Sequence, residues 1–368
     1  MRNLQLSVQT RSAQHSEPAV STPVTPPGHE SELNVSKDKD ILLYTDALEI
    51  HHDPKNNPIQ YGHGAWSTVY KASSTPASTP LSSSLLTPPS SPATTPRIVA
   101  VKSPVRRDAH PVLEEEARTL TRLTFMPGSE HHVVPFCGFI PRAHALVMGA
   151  VPVSLAGFVE EQARVAREEG STGKMFEPVL GMRGWCGLAG RLISGLEWLH
   201  EEAGVVHGDI KPHNILLRAV SGDKHEDTDD FPYDSLFVDF SSSHDLTTTT
   251  TPAPTALTPP FTAPELLSLP ALKSPTPPSD IFSLAVTLLA AATGDLLLYP
   301  GTSHLQRLAM AREGHRVIEF ARGAVSGGCR VPKNGVVERV VGMGVCREPG
   351  GRVRAGEWLG ILNECVGV

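Results

Sequence analysis

His207-Gly208-Asp209-Ile210-Lys211-Pro212-His213-Asn214 sets a carboxylate, an amine two residues on and an amide five residues on in one short segment. Phosphoryl transfer needs such a set. A carboxylate orients the attacking hydroxyl and accepts its proton, a cation neutralises the transferring oxygens, and an amide oxygen holds a metal. After 23 intervening residues comes Val238-Asp239-Phe240-Ser241, a carboxylate just past an apolar strand and suited to a second metal contact. Upstream, Gly62-x-Gly64-x-x-Ser67-x-Val69 has the glycines that let a hairpin turn bring backbone N–H groups close to phosphates. Lys102 closes the strand Val99-Ala100-Val101-Lys102, from which an ammonium reaches phosphate oxygens.

Around these segments the chain organises as follows. Its 368 residues include 33 prolines, crowded into a few Ser/Thr-rich tracts. Residues 1–40 are polar, lack an apolar period and a hydrophobic signal core, and are expected to be a disordered tail. Over 73–96, 19 of 24 residues are Ser, Thr or Pro and none is charged, so a disordered loop inserted between two strands is expected. An acidic insertion is expected over 220–235, and a third Thr/Pro tract covers 247–260. A strand–turn–strand is expected from Ile59 to Tyr70, and strands at 98–101, Val133–Ile140, 145–148, at both ends of 205–217, and at 236–238. Helices are expected over 108–124, along Leu188, Leu192, Leu196 and Leu199, and over 280–292. Strands dominate early and helices late, which gives an α+β fold of two lobes.

Net charge is −7 and there is no basic face or tail, so nucleic acid is not the expected partner. The five cysteines are odd in number and lack C-x-x-C spacing, which fits a reducing compartment better than a disulfide scaffold or a zinc site. The longest uncharged apolar stretch, Ile281 to Gly294, is 14 residues, shorter than the roughly 20 that span a membrane. An intracellular location, cytoplasmic or nuclear, is expected.

Taken in order, these motifs resemble the eukaryotic protein kinase family from about Ile59 to Cys365. Gly62 and Gly64 resemble its phosphate-covering loop, Lys102 its strand-three lysine, His207 to Asn214 its catalytic loop and Asp239 its D-F-G aspartate. Ala263-Pro264-Glu265 resembles A-P-E, Asp280 the helix aspartate that ties down the catalytic loop, and Arg352 the late arginine that pairs with Glu265. The resemblance implies a bilobal protein-kinase-like fold over 41–368. The small β-rich N-lobe would occupy about 41–148, and the larger helical C-lobe about 149–368. It implies ATP and Mg²⁺ as cofactors and protein substrates with Ser/Thr acceptors; the oligomeric state is not implied.

The implied roles follow residue by residue. Asp209, Lys211, Lys102 and Glu116 are the catalytic set. Gly62, Gly64, Val69, Ala100, Lys102, Met148, Ala150, Asn214 and Asp239 lie along the nucleotide, with Met148 behind adenine and Ala150 in the hinge. Asn214 and Asp239 hold the metal. Thr258, seven residues before Glu265, bridges the catalytic aspartate and lysine, as in serine/threonine kinases. Among Glu114, Glu115 and Glu116, periodicity selects the partner of Lys102. Glu116 lies three after Leu113 and four before Leu120, bordering the apolar stripe, whereas Glu114 sits four before Arg118 on a polar face.

Three departures matter. Gly208 replaces the arginine of H-R-D, which implies that activation does not run through a phosphate on that arginine. Ser241 replaces the D-F-G glycine, and Ser67 the third loop glycine. They keep two alternatives open: a pseudokinase that binds nucleotide without turnover, and a small-molecule kinase of the aminoglycoside or choline type, whose loop also reads H-G-D. The surface of His207 is expected to be packed under the catalytic loop.

Overall fold

The computed structural model describes residues 41–76, 96–169, 175–220, 231–247, 258–267, 273–324 and 328–367. In chain order the N-terminal strands are β1 (Ala47–Ile50), β2 (Gln60–His63), β3 (Ser67–Thr75) and β4 (Arg97–Pro104). Helices α1 (His110–Thr124) and α2 (Ser129–His132) follow, then β5 (Phe136–Ile140) and β6 (Ala145–Gly149). All six strands form one antiparallel sheet in the order β1-β3-β4-β6-β5, with β2 on β3.

Alternation along β4 gives this sheet two different faces. Val99 and Val101 pack with Ala72, Ala145 and Val147 on one face. Ala100 and Lys102 take the other, beside their cross-strand partners Met148 and Leu146. Leu146 and Met148 belong to the same core as Leu113, Ala117 and Leu120 of α1. So the helix that carries Glu116 packs on the face that carries Lys102. Gly138 sits at φ +140°, and a Cβ there would lie 2.7 Å from the Tyr44 nitrogen. Only glycine lets β5 accept the preceding chain so closely.

The C-terminal part holds β7 (Val153–Ser154), α3 (Leu155–Glu169), α4 (Gly181–Glu197), β8 (Val205–Val206), β9 (Ile215–Ala219), β10 (Tyr233–Phe237) and β11 (His244–Asp245). It ends with α5 (Pro277–Thr293), α6 (His304–Arg312), α7 (Val317–Gly323), α8 (Val336–Gly342) and α9 (Ala355–Val366). Every residue of α5 from Ser279 to Thr293 is buried, so this helix is the C-lobe's axis. Its apolar run needs no polar face because α3, α4, α7 and α8 all contact it. A Thr276/Ser279 capping box starts the helix and Gly294, at φ 75°, ends it. Trp185 of α4 donates its indole N–H to the Leu288 carbonyl at 2.9 Å, which satisfies its one polar atom inside the core. Mixed α+β architecture with a β-rich first part and a helical second part is the expected fold class.

Several boundaries differ from the sequence expectations. The Ser/Thr/Pro tract expected over 73–96 begins later, because Ser73, Ser74 and Thr75 complete β3. They can do so because partners exist: they pair with β1, Ser73 and Ser74 also pair with β4, and buried Ser74 takes a hydrogen bond from Tyr44 and donates to Asp46. The acidic insertion expected over 220–235 also ends sooner. Tyr233 and Asp234 are strand residues, and Asp234 accepts from Arg191 and Arg218 at 3.2 and 2.8 Å. The strand expected from Val133 starts at Phe136, and Ser129–His132 is a helical turn instead. The tail 1–40 and residues 77–95, 221–230 and 248–257 of the biased tracts lie outside the described residues. Among the described residues no helix is long and apolar enough to cross a membrane.

Candidate active site

Register on the sheet aligns the nucleotide-side candidates. Val69 and Leu146 lie directly across from Lys102 on either side, and Met148 lies across from Ala100. Met148 is 3 % exposed and belongs to the main core. Ala150 follows β6 directly, where the chain passes from one lobe to the other. Gly62 lies in β2 and Gly64 opens the β2–β3 turn. A Cβ added at Gly62 would meet nothing within 4 Å, and one at Gly64 only the Ser67 carbonyl at 3.8 Å. The protein's own packing therefore does not demand either glycine, which leaves bare backbone open to an approaching ligand.

Lys102 is buried, and its three N–H donors are all used. Two reach Glu116 Oε1 and Oε2 at 2.7 Å each, and one reaches Asp239 Oδ1 at 2.6 Å. Burial pulls the ammonium down, but the Asp239 and Glu116 carboxylates overcome it and hold Lys102 above the usual lysine range. Burial likewise pushes the Asp239 carboxyl up. The Lys102 ammonium and the hydrogen bonds from Lys102 and Ser241 outweigh it and keep Asp239 well below the usual carboxylate range. Glu116, with no exposed side-chain surface, is pushed up by burial despite Lys102. Its Oε1 also accepts the Phe240 N–H at 3.1 Å, so α1 is tied to the segment after Asp239. Glu114 and Glu115 instead pair with Arg118 in solvent.

The segment His207–Asn214 forms a closed hydrogen-bonded loop between β8 and β9. Asp209 Oδ2 accepts from Lys211 at 2.5 Å and from Asn214 Nδ2 at 3.1 Å. Its Oδ1 accepts from the Thr258 hydroxyl at 3.0 Å, and Lys211 donates to that same hydroxyl at 2.9 Å. Asp209, Lys211 and Thr258 thus close a triangle joining the loop to the segment that precedes Ala263-Pro264-Glu265. Burial raises the Asp209 carboxyl against the opposing pull of Lys211, which makes it the more basic group.

Two further anchors fix the loop from below. Asp280, at the start of α5, accepts the backbone N–H groups of His207 and Gly208 at 2.7 and 2.9 Å, with His200 Nε2 at 3.1 Å. His207 has no exposed surface and packs against the Phe237 and Phe240 rings, centroids 5.8 and 4.8 Å away. Burial lowers its pKa, and its contacts match the neutral ring: Nε2 faces the Val238 carbonyl at 3.2 Å and Nδ1 accepts from Asp209 N–H at 3.3 Å. Arg352 pairs with Glu265 through two parallel bonds of 2.7 and 2.8 Å and also donates to the Pro278 and Cys346 carbonyls.

Gly208 and Ser241 can now be placed. Gly208 has φ +80°, and a Cβ there would lie 2.5 Å from the Ser242 carbonyl oxygen. The glycine is demanded by the close approach of the following segment to the loop. Ser241 is not at positive φ, so a side chain there strains nothing, whereas the aspartate two residues before it is left-handed at φ 66°.

The donor set suits Mg²⁺ bound through phosphates. Among the described residues no hydrogen bond ends on Asp239 Oδ2 or on Asn214 Oδ1, and no group of three or more His, Cys, Asp or Glu converges as a metal cage. One carboxylate and one amide oxygen are few for a protein-only site, but they match a hard, small cation that keeps waters and phosphate oxygens as its remaining ligands.

The structure brings Asp209, Lys211, Asn214 and Thr258 into one hydrogen-bonded cluster and Lys102, Glu116 and Asp239 into a second. Sequence reasoning missed three contacts: the Ser241 hydroxyl on Asp239, the Phe240 amide on Glu116, and Arg122 of α1 on Asp245 at 3.2 Å. The first joins two side chains two residues apart and the second a backbone amide to a side chain 124 residues away, and neither has a spacing signal.

The protein kinase domain model matches residues 159–324. Curated relatives include Serine/threonine-protein kinase ISR1 of Saccharomyces cerevisiae, 27 % identical over 188 residues, covering 49 % of this chain and 40 % of the relative. The protein of the same name from Eremothecium gossypii is 27 % identical over 203 residues, covering 53 % of this chain and 52 % of the relative. The match thus spans about half the length of these relatives, or less.

Proposed function

We propose that the chain, whose residues 159–324 match the protein kinase domain model, transfers the γ-phosphoryl group of ATP to Ser/Thr hydroxyls of protein substrates. The observation that carries this is the triangle of Asp209, Lys211 and Thr258 beside a Lys102 already clasped by Glu116 and Asp239. Lys102, held by Glu116, grips the α- and β-phosphates. Asp239 and Asn214 would hold Mg²⁺, which would supply positive charge to offset that of the phosphates. Asp209 orients the acceptor hydroxyl and receives its proton, and Lys211 lies 2.5 Å from Asp209 to counter charge on the moving phosphoryl group. Positioning and electrostatics supply the rate, since the protein forms no covalent bond in this chemistry.

The Thr258 bridge favours Ser/Thr over Tyr acceptors. The names of the curated relatives, both serine/threonine-protein kinases, point the same way. The protein-kinase reading is favoured over a small-molecule kinase by the Glu265–Arg352 pair and by Asp280 under the loop. A degenerate peptide array incubated with Mg-ATP tests the substrate class. Label on Ser/Thr peptides is expected. Label on amino alcohols or sugars instead, with none on peptides, would overturn it.

A further inference from the structure

Asp239 holds a metal-ready carboxylate on a left-handed backbone, φ 66° and ψ 72°, and its side chain is 35 % exposed. Something must fix its orientation. Lys102 contributes one bond to Oδ1, but its other two donors are spent on Glu116, so it has nothing further to give. The second donor is the Ser241 hydroxyl, 2.8 Å from the same Oδ1. Both donors sit on one oxygen, and among the described residues Oδ2 receives none.

We propose that Ser241 is a positioning residue. Its hydroxyl locks the Asp239 carboxylate by Oδ1 and so leaves Oδ2 presented to a divalent cation, a role resting on the phosphotransfer reading above. A glycine at this place would leave the carboxylate on one anchor. The segment can afford a side chain because Ser241 is not at positive φ, and because Ser243 Oγ and Ser243 N–H both bond the Phe240 carbonyl, at 2.7 and 3.1 Å, stapling the turn without glycine. Ser241 thus replaces backbone freedom with a side-chain hydrogen bond to the charged group it follows.

The test compares wild type with Ser241→Ala, Ser241→Gly and Ser241→Thr. The readouts are ADP binding by calorimetry across an Mg²⁺ series, ADP binding without metal, and melting of the free protein. Ser241→Ala and Ser241→Gly are expected to raise the Mg²⁺ concentration for half-maximal ADP binding about tenfold, the lower end for a hydrogen bond to a charged group. Metal-free ADP binding stays at the wild-type value, the melting point falls by no more than about 3 °C for the one bond lost, and Ser241→Thr retains the wild-type Mg²⁺ requirement. An unchanged Mg²⁺ requirement in Ser241→Ala and Ser241→Gly would overturn the proposal. So would an equal loss of metal-free binding, which would mean a general collapse of the site. Absence of any Mg²⁺-dependent ADP binding by wild type would overturn the phosphotransfer reading itself, and this proposal with it.

Discussion

Replacing Arg352 with alanine should cost the C-lobe a large part of its stability. The guanidinium has no exposed side-chain surface and Glu265 only 14 %, so water does little to screen the pair. Breaking a buried pair by removing one partner costs about 3–5 kcal/mol, because the other charge is left without compensation. The Pro278 and Cys346 carbonyls also lose their donor, at about 1 kcal/mol each where water does not replace it. The arginine lies 5.1 Å over the Phe282 ring, so packing is lost too. These effects share one side chain and do not sum, so we expect about 4 kcal/mol in total. At roughly 2 °C per kcal/mol for a chain of this size, the melting point falls by about 8 °C. Thermal unfolding followed by tryptophan fluorescence reads it. Arg352→Met, which keeps the packing, and Glu265→Gln separate charge from shape in a double-mutant cycle. A fall of under about 2 °C, or strict additivity between Arg352→Met and Glu265→Gln, would refute the reasoning.

Two further outcomes follow from the same geometry. Gly208→Ala is expected to destabilise by about 2 kcal/mol or more, from a left-handed backbone and a Cβ at 2.5 Å from the Ser242 carbonyl oxygen, while Gly342→Ala, which meets nothing within 4 Å, changes the melting point little. His207, His132, His213 and His244 all have pKa values lowered by burial, so the unfolded chain binds protons that the folded one resists. Their stability contribution is present above the unfolded value of about 6.5 and is lost as pH falls through the folded values, chiefly through His207, which has no exposed surface, while the partly solvated His132, His213 and His244 contribute less. Denaturant melts between pH 7.5 and 5 should therefore show stability falling with acid, and less steeply in His207→Asn.

The residues that carry chemistry were legible because their spacing is imposed by one short loop and one strand end. Asp209, Lys211 and Asn214 sit within six residues, and any fold that closes that loop brings them together. Glu116 was legible from helix period alone, since its place beside Leu113 and Leu120 put it on the buried face. The α3 helix was not expected from the sequence: its polar face is laced with Arg164 pairs to Glu161 and Glu168, and only Leu155, Ala156, Val159 and Ala163 are buried. β1 was missed because its pattern is half-buried at best and its pairing partner, Ala72–Thr75, looked like the start of a loop. Ser241's role was illegible because a substitution at a glycine position reads as a loss until the hydroxyl is seen on Asp239.

The most direct measurement is single-turnover transfer of labelled γ-phosphoryl from Mg-ATP to a Ser/Thr peptide by purified protein, wild type beside Asp209→Asn. The asparagine is isosteric: its amide oxygen can still accept from Lys211 and Asn214 and its NH2 can donate to the Thr258 hydroxyl, so most of the site's shape is kept while the basic group is removed. Wild type is expected to transfer phosphate within one turnover, and Asp209→Asn to lose at least 100-fold in rate, about the contribution of a positioned general base, with its melting point unchanged. No transfer by wild type that binds Mg-ATP, or equal transfer by both proteins, would contradict the assignment of this loop as the catalytic centre.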